Sequence, residues 1–525
     1  MNTMINAGTN TVLGRILCFV TSACVTAAMA HAQFAAGGWT NRYNGPGNKA
    51  DIANAIAVDQ FGNVIVTGYS KGSGSDDDYA TILYSAAGVP VWTNRYNGPG
   101  NGGDQAEAVT VDAHGDVFVT GRSFSVESYA SATIKYSGSG VPLWTNRWVG
   151  GSGAALAVDL SGNVVVTGTG TGNEGYSDFA TVKYSGTGAA LWTNYYSGPL
   201  GYDRATAMAS DASGNVIVTG VSSNDGSDVD YATIKYSGDG VPLWTNHFAA
   251  TAGAGGGFKI VRAPPGLAVD TQGNVFVPFA LDGGGYVTVK YSDQGVPVWT
   301  NRFQAPGIYA EVQAIRVDSS GSVLVAGTVM DEQAGYLVYL TAAYSNAGNL
   351  LWSHRYEGPD HGENQAQALA VDESGNVFVT GWSSDGAIAD DYATIMYSNT
   401  GVPLWAQRYN GPGNSYDRAY AAAIDANGNV IVTGISMGKG SDWDYATIKY
   451  PVAGGPWLTV ARTASDQVAV SWPSPFIGFN LQQNTNGIAT SEWSALETSP
   501  ADDGVTKTAI LSSPAAGAFY RLSAP

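Results

Sequence analysis

Short apolar runs separated by turn residues set the rhythm of this chain. Between Ala53 and Tyr96 four of them follow one another: residues 55–59 (AIAVD), 63–68 (NVIVTG), 79–84 (YATILY) and 89–96 (VPVWTNRY). Runs this short, rich in Val, Ile, Thr and Tyr and bounded by Gly and Asn, read as β-strands and not as helices. The second run is apolar on both faces, as in a strand covered on both sides. In the first, Ala53, Ala55 and Ala57 alternate with larger neighbours, which suits a crowded central position. The fourth carries Pro90, Pro142, Pro242, Pro297 and Pro403 in five of its occurrences. Proline has no N–H for a ladder, so this run is assigned to an outer edge strand.

The unit recurs eight times. A Trp stands at 39, 92, 144, 192, 244, 299, 352 and 405, and a Tyr ends the third run at 84, 136, 184, 236, 291, 344, 397 and 450. An Asp ends the first at 59, 112, 159, 211, 270, 318, 372 and 425, followed three residues later by Gly, the signature of a tight hairpin with a bulge. Four-stranded sheets of this kind cannot hide both faces alone, so they stack radially. The predicted fold is all-β: an eight-bladed β-propeller of four-stranded antiparallel blades over residues 33–450. The strand at residues 39–44 has no upstream partner and is expected to close the ring as the outer strand of the blade built from residues 421–450. One Trp per copy on the same strand reads as buried packing between blades. In-register Lys (135, 183, 235, 290, 449) and Arg (42, 95, 147, 302, 355, 408) read as structural, paired with acids on adjacent blades or solvated at the rim.

After Tyr450 the repeat stops. A linker at 451–456 leads to strand-like runs at 457–464, 467–472, 479–483, 507–511 and 519–522, enough for a small C-terminal β-sandwich at residues 457–525.

The runs AVDESGNVFVTG (370–381) and DYATIKYS (230–237) resemble the seven-bladed β-propeller repeat family of secreted bacterial proteins, here in eight units. SWPSPFIGFNLQQ (471–483) and FYRL (519–522) are similar to the fibronectin-like sandwich at the C-terminus of many such proteins. The resemblance implies a fold and a secreted or cell-surface location, and little about activity.

Composition adds to this picture at a few points. The 69 glycines in 525 residues, against a usual share of about 7%, fit many tight turns. Residues 16–28 form an apolar run behind Arg15, and Ala30-His31-Ala32 follows, which reads as a signal peptide over residues 1–32. Both cysteines, Cys18 and Cys24, lie within it, so cysteine catalysis and thiolate metal sites are excluded from the mature chain. Without Arg15 the net charge of −19 becomes −20, which disfavours nucleic acid as a partner. No second long apolar stretch argues for a membrane span.

Candidate chemistry is sparse. The mature histidines (114, 247, 354, 361) occupy different repeat positions, which argues against a metal trio or a triad. The acid pairs Asp76/Asp78, Asp228/Asp230 and Asp442/Asp444 precede the third strand, and carboxylates two apart on an extended chain share a side. They read as calcium ligands or as solvated loop and strand-entry residues; no other cofactor is expected. Trp148, Trp382 and Trp443 break the repeat and are candidates to meet a ligand. Strand alternation puts the uniform turns on one side of the disc and the variable loops, including an insertion at 251–265, on the other. That loop-rich side is the expected binding face for a protein or glycan. The leading expectation is a non-enzymatic binding scaffold. The alternative is a polysaccharide hydrolase or lyase using carboxylates in the channel, and a quinone-dependent dehydrogenase ranks lowest.

Overall fold

The computed structural model describes residues 18–19 and 38–523, except 125–127, 173–175, 199–201, 224–228, 249–265, 281–285, 304–308, 332–334, 359–361, 385–388, 452–458, 464–466, 474–479, 485–492, 497–498, 503–505 and 513–518. Eight four-stranded antiparallel sheets form a β-propeller. Blade one shows the plan: Asp51–Val58 innermost, then Val64–Lys71, Tyr79 within Asp77–Tyr84, and Pro90–Tyr96 outermost. The two middle strands are almost wholly buried, because each blade covers its neighbours' faces. Prolines begin the outer strands, where no ladder partner is lost.

The ring closes as the sequence predicts. Trp39–Tyr43 pairs antiparallel with Trp443–Tyr450, Trp39 opposite Lys449 and Tyr43 opposite Tyr445, completing blade eight. The chain divides into two compact units, the propeller unit comprising Gly37–Pro403 and Gln407–Tyr450. In the second unit two antiparallel sheets share a core of Val468, Val470, Trp472, Leu481, Ala509, Leu511 and Tyr520. One sheet holds Thr459–Arg462, Val468–Pro473, Thr506–Leu511 and Ala501–Asp502; the other holds Asn480–Asn484, Phe519–Ser523 and Ser494–Ala495, with Cys18–Phe19 added at an edge.

The recurrent tryptophans differ from expectation. Seven of the eight are half-buried and serve as latches on the surface between blades. The Trp39 indole N–H donates to the Ala86 carbonyl at 3.2 Å, and the Asn41 amide donates to the Gly88 carbonyl at 2.7 Å. Both acceptors lie in the third-to-fourth hairpin of the next blade. The indole rests flat on Gly88, where a Cβ would come within 2.6 Å of the ring and where φ is +82°. Glycine is required there twice over. The same Trp–Asn latch repeats from Trp92, Trp144, Trp192, Trp244 and Trp299. Trp405 has no such hairpin to meet, because blade eight takes its fourth strand from the N-terminus; the Asn of the latch is Gln407 in that copy.

The in-register lysines are also buried, not solvated. Lys235 Nζ lies 2.9 Å from Asp211, the acid ending its own blade's first strand, and reaches Asp293 in the next blade's turn. Lys449 pairs with Asp425 at 2.7 Å and donates to the Ala86 carbonyl. Burial alone would raise these carboxyls, but the Lys and Asn hydrogen bonds outweigh it and hold Asp211 and Asp425 below the usual range.

Candidate functional site

On the loop-rich side the strand ends carry a second polar ring. In blade one the Arg95 guanidinium donates to Asp78 at 2.7 Å, to the Ser70 side chain and carbonyl, and to the Tyr43 hydroxyl of the preceding blade at 3.2 Å. Arg42 does the same in blade eight, bonding Asp444 at 2.8 Å, Ser436 and the Tyr409 hydroxyl of blade seven. The bonds to the tyrosine hydroxyls cross the blade boundary, so they fix one blade's orientation on the next.

The acids named as calcium ligands fall into this arrangement. Asp78 and Asp444 are buried and bound to Arg95 and Arg42. Asp76 pairs with Lys71, Asp442 accepts the Trp443 N–H at 3.0 Å, and Asp230 is buried at the same strand entry as Asp78. Asp228 lies outside the described residues. Among the described residues no three His, Cys, Asp or Glu side chains are grouped to hold a metal ion. Of the three odd tryptophans, Trp382 is buried beneath the Arg418 guanidinium, 4.7 Å from the ring centre, while Trp148 and Trp443 are half-buried.

Recurrent acids at the start of the inner strand, not singled out from the sequence, complete the ring. Asp51, Asp104, Asp203 and Asp417 are fully buried, and each accepts the N–H of a loop glycine, Gly45, Gly98, Gly198 or Gly411, at 2.6–2.7 Å. Their signal was the spacing N-G-P-G-N-x-x-D in copies one, two and eight. Burial pushes Asp417 up to about 6, against the Ser436 and Gly411 hydrogen bonds that pull it down. A carboxyl raised in the fold binds its proton more tightly folded than unfolded. Its stabilising effect is therefore complete at low pH and is lost as pH rises from about 4 to about 6. Asp417→Asn should remove that slope, gaining up to roughly 3 kcal/mol relative to wild type between pH 4 and pH 7. Blade seven already carries Asn364 at this position. Urea midpoints of both chains across the pH range check it, and parallel pH profiles would contradict it.

The central channel is where the repeat is least uniform. Among the described residues seven inner strands carry a β-bulge, and the extra residues are Asn54, Glu107, Ala154, Thr206, Gln313, Gln367 and Tyr420. Asn54, Gln313, Gln367 and Tyr420 line a cavity of about 240 Å³ together with Arg316. Burial raises the Glu107 carboxyl, and Arg122 pulls the other way.

Arg316 stands at a register position occupied by Ala57, Ala157, Ala209, Ala268, Ala370 and Ala423, or by Thr110, in the other blades. It is exposed to the channel solvent, and the reduced hydration beside the channel wall lowers its pKa from the ordinary arginine value. Its only hydrogen bond among the described residues is to the Ile315 carbonyl at 2.8 Å, and no carboxylate among them pairs with it.

Among the described residues no helix is long and apolar enough to cross a membrane. No known family's sequence profile matches the chain, and no curated protein does. Solved structures similar to it include Sqt1 of Chaetomium thermophilum, at 11% identity and TM-score 0.49, covering 77% of this chain and 96% of that one. An ulvan lyase of polysaccharide lyase family 25 is similar at 11% identity and TM-score 0.39, covering 78% and 95%. A glucose dehydrogenase is similar at 11% identity and TM-score 0.31, covering 56% and 95%.

Proposed function

We propose that this protein is a secreted, non-enzymatic binding scaffold of the bacterial propeller-repeat kind, taking a protein or glycan ligand on its loop-rich side. The observation that carries this reading is the division of labour among its polar residues. Those that repeat are spent on the frame: Arg42 and Arg95 reach the preceding blade's Tyr409 and Tyr43 on one side, and Lys235 and Lys449 reach the next blade's turn on the other. Those that do not repeat gather at the channel. A ring made rigid in this way presents a preformed surface, and a preformed surface binds without an ordering cost. The signal-peptide reading of residues 1–32 and the cysteine-free mature chain support an extracellular setting.

The test is a glycan array on which residues 33–525 are scored for both retention and cleavage. Retention without cleavage is the expected result. Turnover of any glycan would replace this reading with the polysaccharide-active enzyme, and Glu107 is then the first carboxyl to substitute.

A further inference from the structure

We infer that the central channel is a subsite for one carboxylated sugar unit, a uronate, with Arg316 as the residue that holds its carboxylate. The inference rests on the binding reading above and names the ligand class. Arg316 is exposed on the channel wall and meets no acid among the described residues, so its guanidinium is open to a carboxylate brought by a ligand. Arginine's planar fork matches a carboxylate bidentately.

The surroundings favour a sugar over other anions. Gln313 and Gln367 make no hydrogen bond with the protein among the described residues, and their amides offer a donor and an acceptor each to vicinal hydroxyls. Tyr420 adds an aromatic ring to the same wall. At about 240 Å³ the cavity lies below the roughly 300–1,000 Å³ of drug-sized pockets, which limits it to a single small unit. The chain's net charge of −19 repels polyanions at long range, so an acidic ligand needs a local cation, and Arg316 supplies it.

The substitution Arg316→Ala is unusually clean, because alanine is the residue that six other blades carry at this register. The experiment measures binding of oligogalacturonate, the neutral oligogalactose of equal length and oligoglutamate to residues 33–525, by calorimetry, with thermal melts of both proteins. We expect oligogalacturonate to bind wild type and to weaken about ten- to a hundredfold in Arg316→Ala. The melting temperature should not fall, and Arg316→Lys should restore part of the affinity. Equal affinity of wild type and Arg316→Ala for oligogalacturonate would overturn the subsite while leaving the binding reading intact. Arg316-dependent binding of oligoglutamate without oligogalacturonate would overturn the sugar assignment. Failure of oligogalacturonate to bind wild type would overturn the inference, and the array decides separately whether the scaffold binds anything else.

Discussion

A chain beginning at residue 44 should fail to form a stable monomer, whereas one beginning at residue 33 should form it readily. Trp39–Tyr43 supplies the fourth strand of blade eight and three further ties. Trp39 and Asn41 latch onto blade one at Ala86 and Gly88, Arg42 holds Asp444 and Tyr409, and the Tyr43 hydroxyl accepts from Arg95. Without this strand the buried Asp444 carboxylate loses its cation, a loss of about 3–5 kcal/mol by itself. Trp443–Tyr450 becomes an open, apolar edge that pairs with other chains. Size-exclusion chromatography with light scattering should show the shorter chain as oligomers or aggregate. A synthetic peptide spanning residues 37–50 should return part of the monomer. A shorter chain that stays monomeric with an unchanged melting temperature would show that the seam is not what holds the ring.

Tyr445→Ala should destabilise the propeller by about 3–5 kcal/mol, the cost of emptying a large buried site. Tyr445 is fully buried, its ring meets Tyr43 edge-on at 5.5 Å, and its hydroxyl donates to the Ala80 carbonyl of blade one at 3.1 Å. Tyr79 and Tyr392 make the equivalent bond to Ala132 and Ala446 of their next blades. Tyr445→Phe keeps the ring and removes one hydrogen bond from the Ala80 carbonyl, which still accepts from the Thr67 hydroxyl, so it should cost about 0.5–1.5 kcal/mol. Equilibrium unfolding of the two variants separates packing from hydrogen bonding. A Tyr445→Ala chain within about 1 kcal/mol of wild type would mean that blade contact rests elsewhere.

Strands, blade number and ring closure were legible because a two-residue period, turn glycines and eight in-register marks all say the same thing. The Trp residues were read as core because recurrence on one strand signals packing. Recurrence does not say how deep the packing lies, and an indole whose N–H must reach a turn carbonyl sits near the surface. The bulges were not legible, since Ala53, Ala55 and Ala57 look like an unbroken alternation although Asn54 interrupts the ladder between them. That hid the register in which Arg316 replaces alanine. The acid pairs drew attention as possible cation ligands, while the solitary Asp417 and its counterparts, each bonded to a loop glycine, went unnoticed.

The seam carries a further implication for how such rings change size. The recurrent blade-to-blade ties described above, the Trp latch, the Lys bond to the next blade's turn and the Arg–Tyr bridge, join a blade to its next neighbour from the same repeat positions. The strand handed from the N-terminus to the last blade belongs to that same pattern. Gain or loss of one whole copy therefore leaves each surviving contact its proper partner and alters only the angle between blades. Copy number becomes a variable that gene duplication can adjust without inventing a new interface.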